Sequence, residues 1–244
     1  MPALLLFLLA ALPATPCETT PEHGVASACE VRTFTLDARE ELTVRNPVSG
    51  GITVRAWDRA EIGVRAEVRA YESRGLQPAE LLRATTIETE GTLQPQTEGG
   101  GWVETRFVVS VPRETDLDLR THNGAISVAG VQGTLRIDTN SGTVRLAGVG
   151  GDVLAESNNG DVTVDLDGAT WAGAGLRAFA NNGTLRLLVP ERYDARLDAS
   201  VRWGYIGEPD ANSPSAASRT IYFGAGGPTL RAEVNAGSVR IERG

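Results

Sequence analysis

Apolar and polar residues alternate along most of the chain, in short runs punctuated by glycine. A period of two puts one side of a β-strand in the interior and the other in water. The pattern is strong over residues 31–71. Leu42 and Val44, Ile52 and Val54, then Ile62, Val64, Ala66 and Val68 fall on one side, with arginine and glutamate between them. With a turn over 46–51, these runs predict a β-meander. Residues 77–84 predict the single short helix, where Pro78 suits a first turn and Leu76, Leu81 and Leu82 form an apolar side. Strands near 86–92 and 103–111 follow, with a hairpin loop at 99–101.

From residue 121 the alternation becomes a repeat. Gly124, Gly142, Gly160 and Gly183 each stand in the same local pattern, at intervals of 18, 18 and 23 residues, and Gly237 closes a fifth copy. The extra five residues fall in the Gly/Ala-rich stretch 168–174, read as a bulged loop. A second corner recurs at half the period, at Gly133 and Gly151. Each coil of about 18 residues thus holds two short strands and two tight corners.

Alternation assigns the faces. Ile126, Val144, Val162, Leu185 and Val239 share one inward position, and Val128, Leu146, Val164, Leu187 and Ile241 the next. Leu135, Ile137, Val153 and Ala155 line the opposite wall. Coils stacked about 4.8 Å apart would pile these residues into dry columns. The predicted fold is all-β: a β-solenoid over 121–244, continuous with the meander and short helix over 31–120. Asn140, Asn158, Asn181 and Asn235 precede their glycines by two, and His122 holds that slot in the first repeat. Asparagine suits turns and can bond its own kind along a stack, so these residues and the five glycines are expected to be structural.

The outward slots carry the candidate chemistry. Ser127, Arg145, Thr163 and Arg186 alternate arginine with hydroxyl, which keeps like charges off neighbouring strands, and Arg240 comes last. Asp138 and Glu156 occupy equivalent slots and would lie about 5 Å apart on adjacent coils. Such a carboxylate pair would suit a retaining glycosidase or a calcium site, although Arg136 stands near enough to neutralise it. Trp171, Trp203, Tyr205, Tyr222 and Phe223 gather toward the C-terminal end, where aromatics could cap the last coils. The longest polar loop is expected over 207–218.

The N-terminus sets the compartment. Residues 4–12 are an unbroken apolar run of nine, too short to span a membrane and right for a signal-peptide core, followed by Pro13 and Pro16. This predicts a signal peptide over 1–14 and an exported chain, in the periplasm, on the cell surface or secreted. The only cysteines, Cys17 and Cys29, lie in the segment 15–30 and could close a short loop by disulfide, contributing about 3 kcal/mol. Two alternatives are cleavage after Ala28 and lipid attachment at Cys17, which Pro16 disfavours.

Composition narrows the function classes. A net charge of −8, with 23 basic residues that are all arginine against 31 acidic ones, argues against nucleic-acid binding. The two histidines are His23, near the leader, and His122, in a turn slot. Neither builds a nucleophile–base pair, and the cysteines lack a zinc spacing. No catalytic, metal or cofactor residues are assigned, and no cofactor is expected.

The repeat from residue 121 to 166, with asparagine–glycine turns before alternating aliphatics, resembles the bacterial β-strand-repeat domain family of unknown function, called putative adhesins and toast-rack-like. Residues 54–58 and the ending from Gly226 through Gly237 are similar to it too, so the resemblance spans roughly 30–244. It implies a β-solenoid of the cell envelope with no established catalytic residues. The expected function is therefore a non-enzymatic adhesion, scaffold or interaction module. Its expected partner is an unknown protein or glycan of the envelope, with end-to-end self-association through open solenoid ends. The alternatives are a carbohydrate-active enzyme using Asp138 and Glu156, and a self-assembling solenoid.

Overall fold

The computed structural model describes Cys17, residues 26–207 and residues 217–244. The apolar leader, His23 and the stretch 208–216 lie outside the described residues. Those described form an all-β molecule with one helix. None of their helices is long and apolar enough to cross a membrane.

The repeat region runs through β8 (Asp116–Asn123), β9 (Ile126–Ala129), β10 (Gln132–Ser141), β11 (Val144–Ala147), β12 (Gly150–Asn159), β13 (Val162–Asp165) and β14 (Gly175–Val189). The even-numbered strands pair in parallel as a long wall. There Leu117 lies beside Leu135, Leu135 beside Val153, and Val153 beside Leu176. The odd-numbered strands form a short wall, where Ile126 lies beside Val144, and Val144 beside Val162. Strand β14 is long enough to serve both, since Leu185 in its second half lies beside Val162. Ile126, Val144, Val162, Leu185 and Val239 are all 0% exposed, so the predicted inward column is dry from end to end. Each such aliphatic contributes about 1.5–3 kcal/mol by burial.

The stack begins earlier than residue 121. Strands β2 (Glu41–Ser49) and β3 (Ile52–Trp57) are not meander partners; they lie parallel to β8 and β9, with Leu42 beside Leu117 and Ile52 beside Ile126. Their alternation specified strands and faces, but a period of two does not name the partner. Antiparallel pairing is confined to the outer elements. Strand β4 (Glu61–Tyr71) lies between β1 (Ser27–Asp37) and β7 (Trp102–Pro112), and β7 in turn pairs in parallel with β3. Strands β5 (Thr85–Glu88) and β6 (Thr92–Thr97) form a small antiparallel pair where one continuous strand over 86–92 was expected. Helix α1 (Pro78–Ala84) falls where the pattern puts it. The Glu80 carboxylate accepts the Gln77 N–H at 2.9 Å, and Leu81 packs with Val68, Ala70 and Val103.

The C-terminal end departs from chain order. Strand β17 (Thr229–Arg243) lies between β14 and β15 (Ala195–Ile206), with Leu185 beside Val239 on one side and Gly204 beside Gly237 on the other. Strand β16 (Ala217–Phe223) pairs antiparallel with β15 at the margin. The expected aromatic cap is dispersed. Trp171 and Phe223 are core residues, whereas Trp203 and Tyr222 are 58% and 65% exposed. Trp171 is carried inward by the inserted loop, and its indole N–H donates to the Gly151 carbonyl at 3.1 Å.

Each turn rests on the one before it. Gly124, Gly142 and Gly160 donate their N–H groups to the carbonyls of Ser141, Asn159 and Asn182, so the parallel ladder runs unbroken through the corner. A Cβ on Gly142 would strike the Gly124 carbonyl oxygen, and one on Gly160 the Gly142 oxygen. The glycines are therefore required chiefly by the approach of the next coil. The inward residue beside each turn carries a hydroxyl for the same carbonyl. Thr121, Thr139 and Ser157 donate to Gly50, Gly124 and Gly142 at 3.0, 3.1 and 2.9 Å. Unmade, each of these buried bonds would leave a costly orphan acceptor.

Two stability predictions follow from these contacts. Gly160→Ala should cost on the order of 2–3 kcal/mol, read as a lower urea midpoint, because the added methyl meets fixed backbone at φ +150. Gly168→Ala, at φ +72 with no heavy atom within 4 Å, should cost about 1 kcal/mol. The second prediction concerns Tyr193, which is 3% exposed. Burial, and secondarily the Asp167 carboxylate, push its phenol up to about 12. The folded state holds the neutral phenol, while the unfolded chain releases the proton near pH 10. Stability should then be intact below pH 10 and fall by up to about 2–3 kcal/mol toward pH 12. Tyr193→Phe should flatten that slope in urea melts across the range.

Candidate functional site

The outward surface of the long wall is where repeat position becomes chemistry. Residues at one repeat position share a file running along the stack, about 4.8 Å from rung to rung. One such file contains Arg45, Arg120, Asp138, Glu156, Phe179 and Glu233, each in register with the next. Asp138 is exposed and Glu156 half-buried, so the predicted carboxylate pair does meet across adjacent rungs. Arg120 is the register partner of Asp138 on the other side, and Phe179 that of Glu156.

The neighbouring file carries the asparagines. Asn158 donates its Nδ2 to Asn140 Oδ1 at 3.0 Å, Asn181 to Asn158 at 2.8 Å, and Asn235 to Asn181 at 2.9 Å. The amides thus point one way along four rungs. Beside them Asn182 donates to Asn159 Oδ1 at 3.1 Å. His122 continues the file on β8 and is exposed.

Two grooves lie at the two ends of this asparagine file. The first, of about 400 Å³, is lined by Arg45, Arg120, His122, Asp138, Asn140 and Asn158, among others. Asn46 lies beneath it, at an inward position in register with Thr121. It donates Nδ2 to the carbonyls of Gly50 and Thr105, while its buried Oδ1 has no hydrogen-bond partner among the described residues. The second groove, of about 280 Å³, is lined by Phe179, Ser200, Arg202, Glu233 and Asn235, with Val201 and Val234. A third depression, of about 410 Å³, runs across the same wall past Arg136, Arg177 and Arg231.

Charges on this wall are largely matched. Asp118 takes Arg45 at 2.7 Å and Arg120 at 3.2 Å, and Arg177 meets Glu233 at 3.3 Å. Asp198 is held below the usual carboxylate range, first by the Thr220 hydroxyl bond and then by Arg196 and Arg231, which together outweigh its desolvation. The short wall presents Ser127, Arg145, Thr163, Arg186 and Arg240 in register. The alternation of charge with hydroxyl ends there, because β17 brings Arg240 beside Arg186. Arg186 pairs with Glu242 at 2.9 Å, and Arg240 donates to the Tyr205 hydroxyl at 3.4 Å.

The remaining predicted residues lie apart from this wall's surface. Cys17 and Cys29 are joined by a disulfide at the start of β1. Gly124, Gly142, Gly160, Gly183 and Gly237 form the turn file between the walls. Sequence reasoning missed Asn46, Thr121, Thr139 and Ser157 beneath the turns, and Phe179 on the surface. Thr121, Thr139 and Ser157 each stand three before a turn glycine, a signal that was present but unread.

No family model and no curated protein matches the chain. Among solved structures it is similar to a "putative cell adhesion protein" from Clostridium sporogenes, at 10% identity and a TM-score of 0.46, over 90% of this chain and 100% of that one. It is also similar to a "putative adhesin" from Bacteroides fragilis, at 9% identity and a TM-score of 0.36, over 87% and 96% of the two chains. A "putative lipid binding protein" from Parabacteroides distasonis gives 12% identity and a TM-score of 0.32, over 88% and 96%.

The asparagine file is also a structural tie. Asn158→Ala removes one donated and one accepted hydrogen bond at a solvent-facing position, and should cost about 1 kcal/mol in urea unfolding. Asn182→Ala removes a single bond and should cost less.

Proposed function

We propose that the protein is a non-enzymatic interaction module of the cell envelope, an exported β-solenoid that presents its long wall to a surface ligand. One observation carries this reading: neighbouring strands repeat in parallel at offsets of 18, 18 and 23 residues, so each outward side chain recurs in register along the wall. Such a face is rigid because its backbone is held by ladders on both sides. A rigid face gives a ligand many shallow contacts without an ordering cost at each.

Two further observations support the compartment and the winding. The Cys17–Cys29 disulfide fits an oxidising environment, as does the apolar leader. The alternation of long and short parallel strands around one apolar interior fits a solenoid that takes in β2 and β3 and runs regularly from β8 to β14.

The test is retention on envelope fractions of the producing cells. The purified protein should co-sediment with them. Arg202→Glu, on the long wall, should lower retention at least tenfold, and Arg145→Glu, on the short wall, should leave it unchanged. Absence of retention, or equal loss from both substitutions, would overturn the reading. Turnover of an envelope polysaccharide that disappears in Asp138→Asn would replace it with a hydrolytic one.

A further inference from the structure

We infer that the asparagine file of the long wall, with the two grooves at its ends, is a track for one extended strand of neutral polysaccharide lying along the stack axis. This rests on the long wall being the binding face and names the class of ligand it takes.

The first argument is hydrogen-bond capacity. A carboxamide has two N–H donors and two acceptor lone pairs. Inside the file, Asn158 and Asn181 each spend one donor and one lone pair on their neighbours. Each therefore keeps one donor and one acceptor, and both side chains face away from the core. The file is in effect a row of identical donor–acceptor pairs, repeated at the rung spacing over about 14 Å. Its side chains are already locked by one another, so binding them costs little rotamer entropy. A complementary ligand must itself repeat, and must offer both donors and acceptors from each unit. Sugar hydroxyls do both.

The second argument is charge. The strip formed by the asparagine file and its neighbour carries Arg45, Arg120 and Arg202 against Asp138, Glu156 and Glu233. Three positive groups balance three negative ones, and Arg45 and Arg120 are further engaged by Asp118. A polyanion or polycation would meet repulsion along part of this strip, whereas uncharged hydroxyls can bond to guanidinium and carboxylate alike.

The third argument is shape. The grooves, of about 400 and 280 Å³, sit on one face at opposite ends of the file. The first offers the exposed His122 imidazole and the Asp138 carboxylate beside Asn140 and Asn158. The second offers Phe179, a half-buried ring that points outward between the inward Ala178 and Ala180. An aromatic face flanked by polar groups suits the apolar face of a pyranose ring. A single sugar would fill one groove, while a strand along the axis reaches both and crosses the asparagines between.

The test is a titration of the intact protein with a soluble neutral β-glucan, a neutral mannan and a polygalacturonate, followed calorimetrically and by NMR of the asparagine side-chain amides. At least one neutral polymer should bind and shift those amide signals, and it should release the protein from envelope fractions. Phe179→Ala and Asn235→Ala should each weaken that binding at least tenfold, and Thr163→Ala, on the short wall, should not. The amide shifts are read on the unaltered protein, so a variant that fails to fold leaves the test intact. Retention on envelopes without binding or competition by either neutral polymer would overturn this inference and leave the module reading standing. Preferential binding of polygalacturonate would overturn it as well, as would neutral binding that the two variants leave unchanged. Loss of both envelope retention and polymer binding would remove the two readings together.

Discussion

The contact between one turn and the next governs the rest of the molecule. Where the Gly142 and Gly160 turns meet, backbone lies directly on backbone, with no room for even a methyl group. That contact fixes the height of a coil at the spacing of hydrogen-bonded strands. Once the height is fixed the register is fixed, because a slip of one residue would turn every aliphatic side chain to water. Dry columns such as Ile126, Val144, Val162 and Leu185 are therefore the result of tight turns as much as of hydrophobic attraction. The hydroxyls of Thr121, Thr139 and Ser157 complete the arrangement by occupying the carbonyls that the turns point inward.

Much of this was legible in the chain. The five turn glycines, both walls and the inward columns follow from period and alternation, since a strictly repeated pattern constrains where each residue must sit. The role of the glycines was only half legible. Sequence shows that Gly142 stands in a turn, but the carbonyl above which it sits belongs to a residue 18 positions away. Partner choice was the larger gap. Residues 41–57 read as a meander because local alternation says nothing of whether a strand meets its neighbour in sequence or one far along the chain. The same limit hid the place of β17, which enters between two strands that precede it.

The candidate face shows the same division. Asp138 and Glu156 could be placed beside each other, and the asparagines could be lined up, because both sets sit at equivalent repeat positions. Phe179 could not be anticipated, since it is the one aromatic in a file otherwise charged, and only the register shows what it stands beside. Nor could Asn46, which lies beneath the groove because β2 joins the stack beside β8. Repetition makes a face predictable, and departures from repetition give it local character.

The order of the last three rungs follows from how well each strand keeps the repeat. A strand placed against β14 must match it on both walls, with a glycine at the turn between. Strand β17 does so through Leu230, Gly237, Val239 and Ile241, which lie beside Leu176, Gly183, Leu185 and Leu187. Strand β15 has the turn glycine, Gly204, but it carries Arg202 in the slot where β17 carries Asn235, and its Trp203 is 58% exposed. Inside the stack it would interrupt the hydrogen bond from Asn235 to Asn181, whereas at the end its departures from the repeat disturb no further neighbour. The more faithful copy therefore takes the inner place, although it comes later in the chain. The less faithful one lies between β17 and β16, where a departure from the repeat costs least.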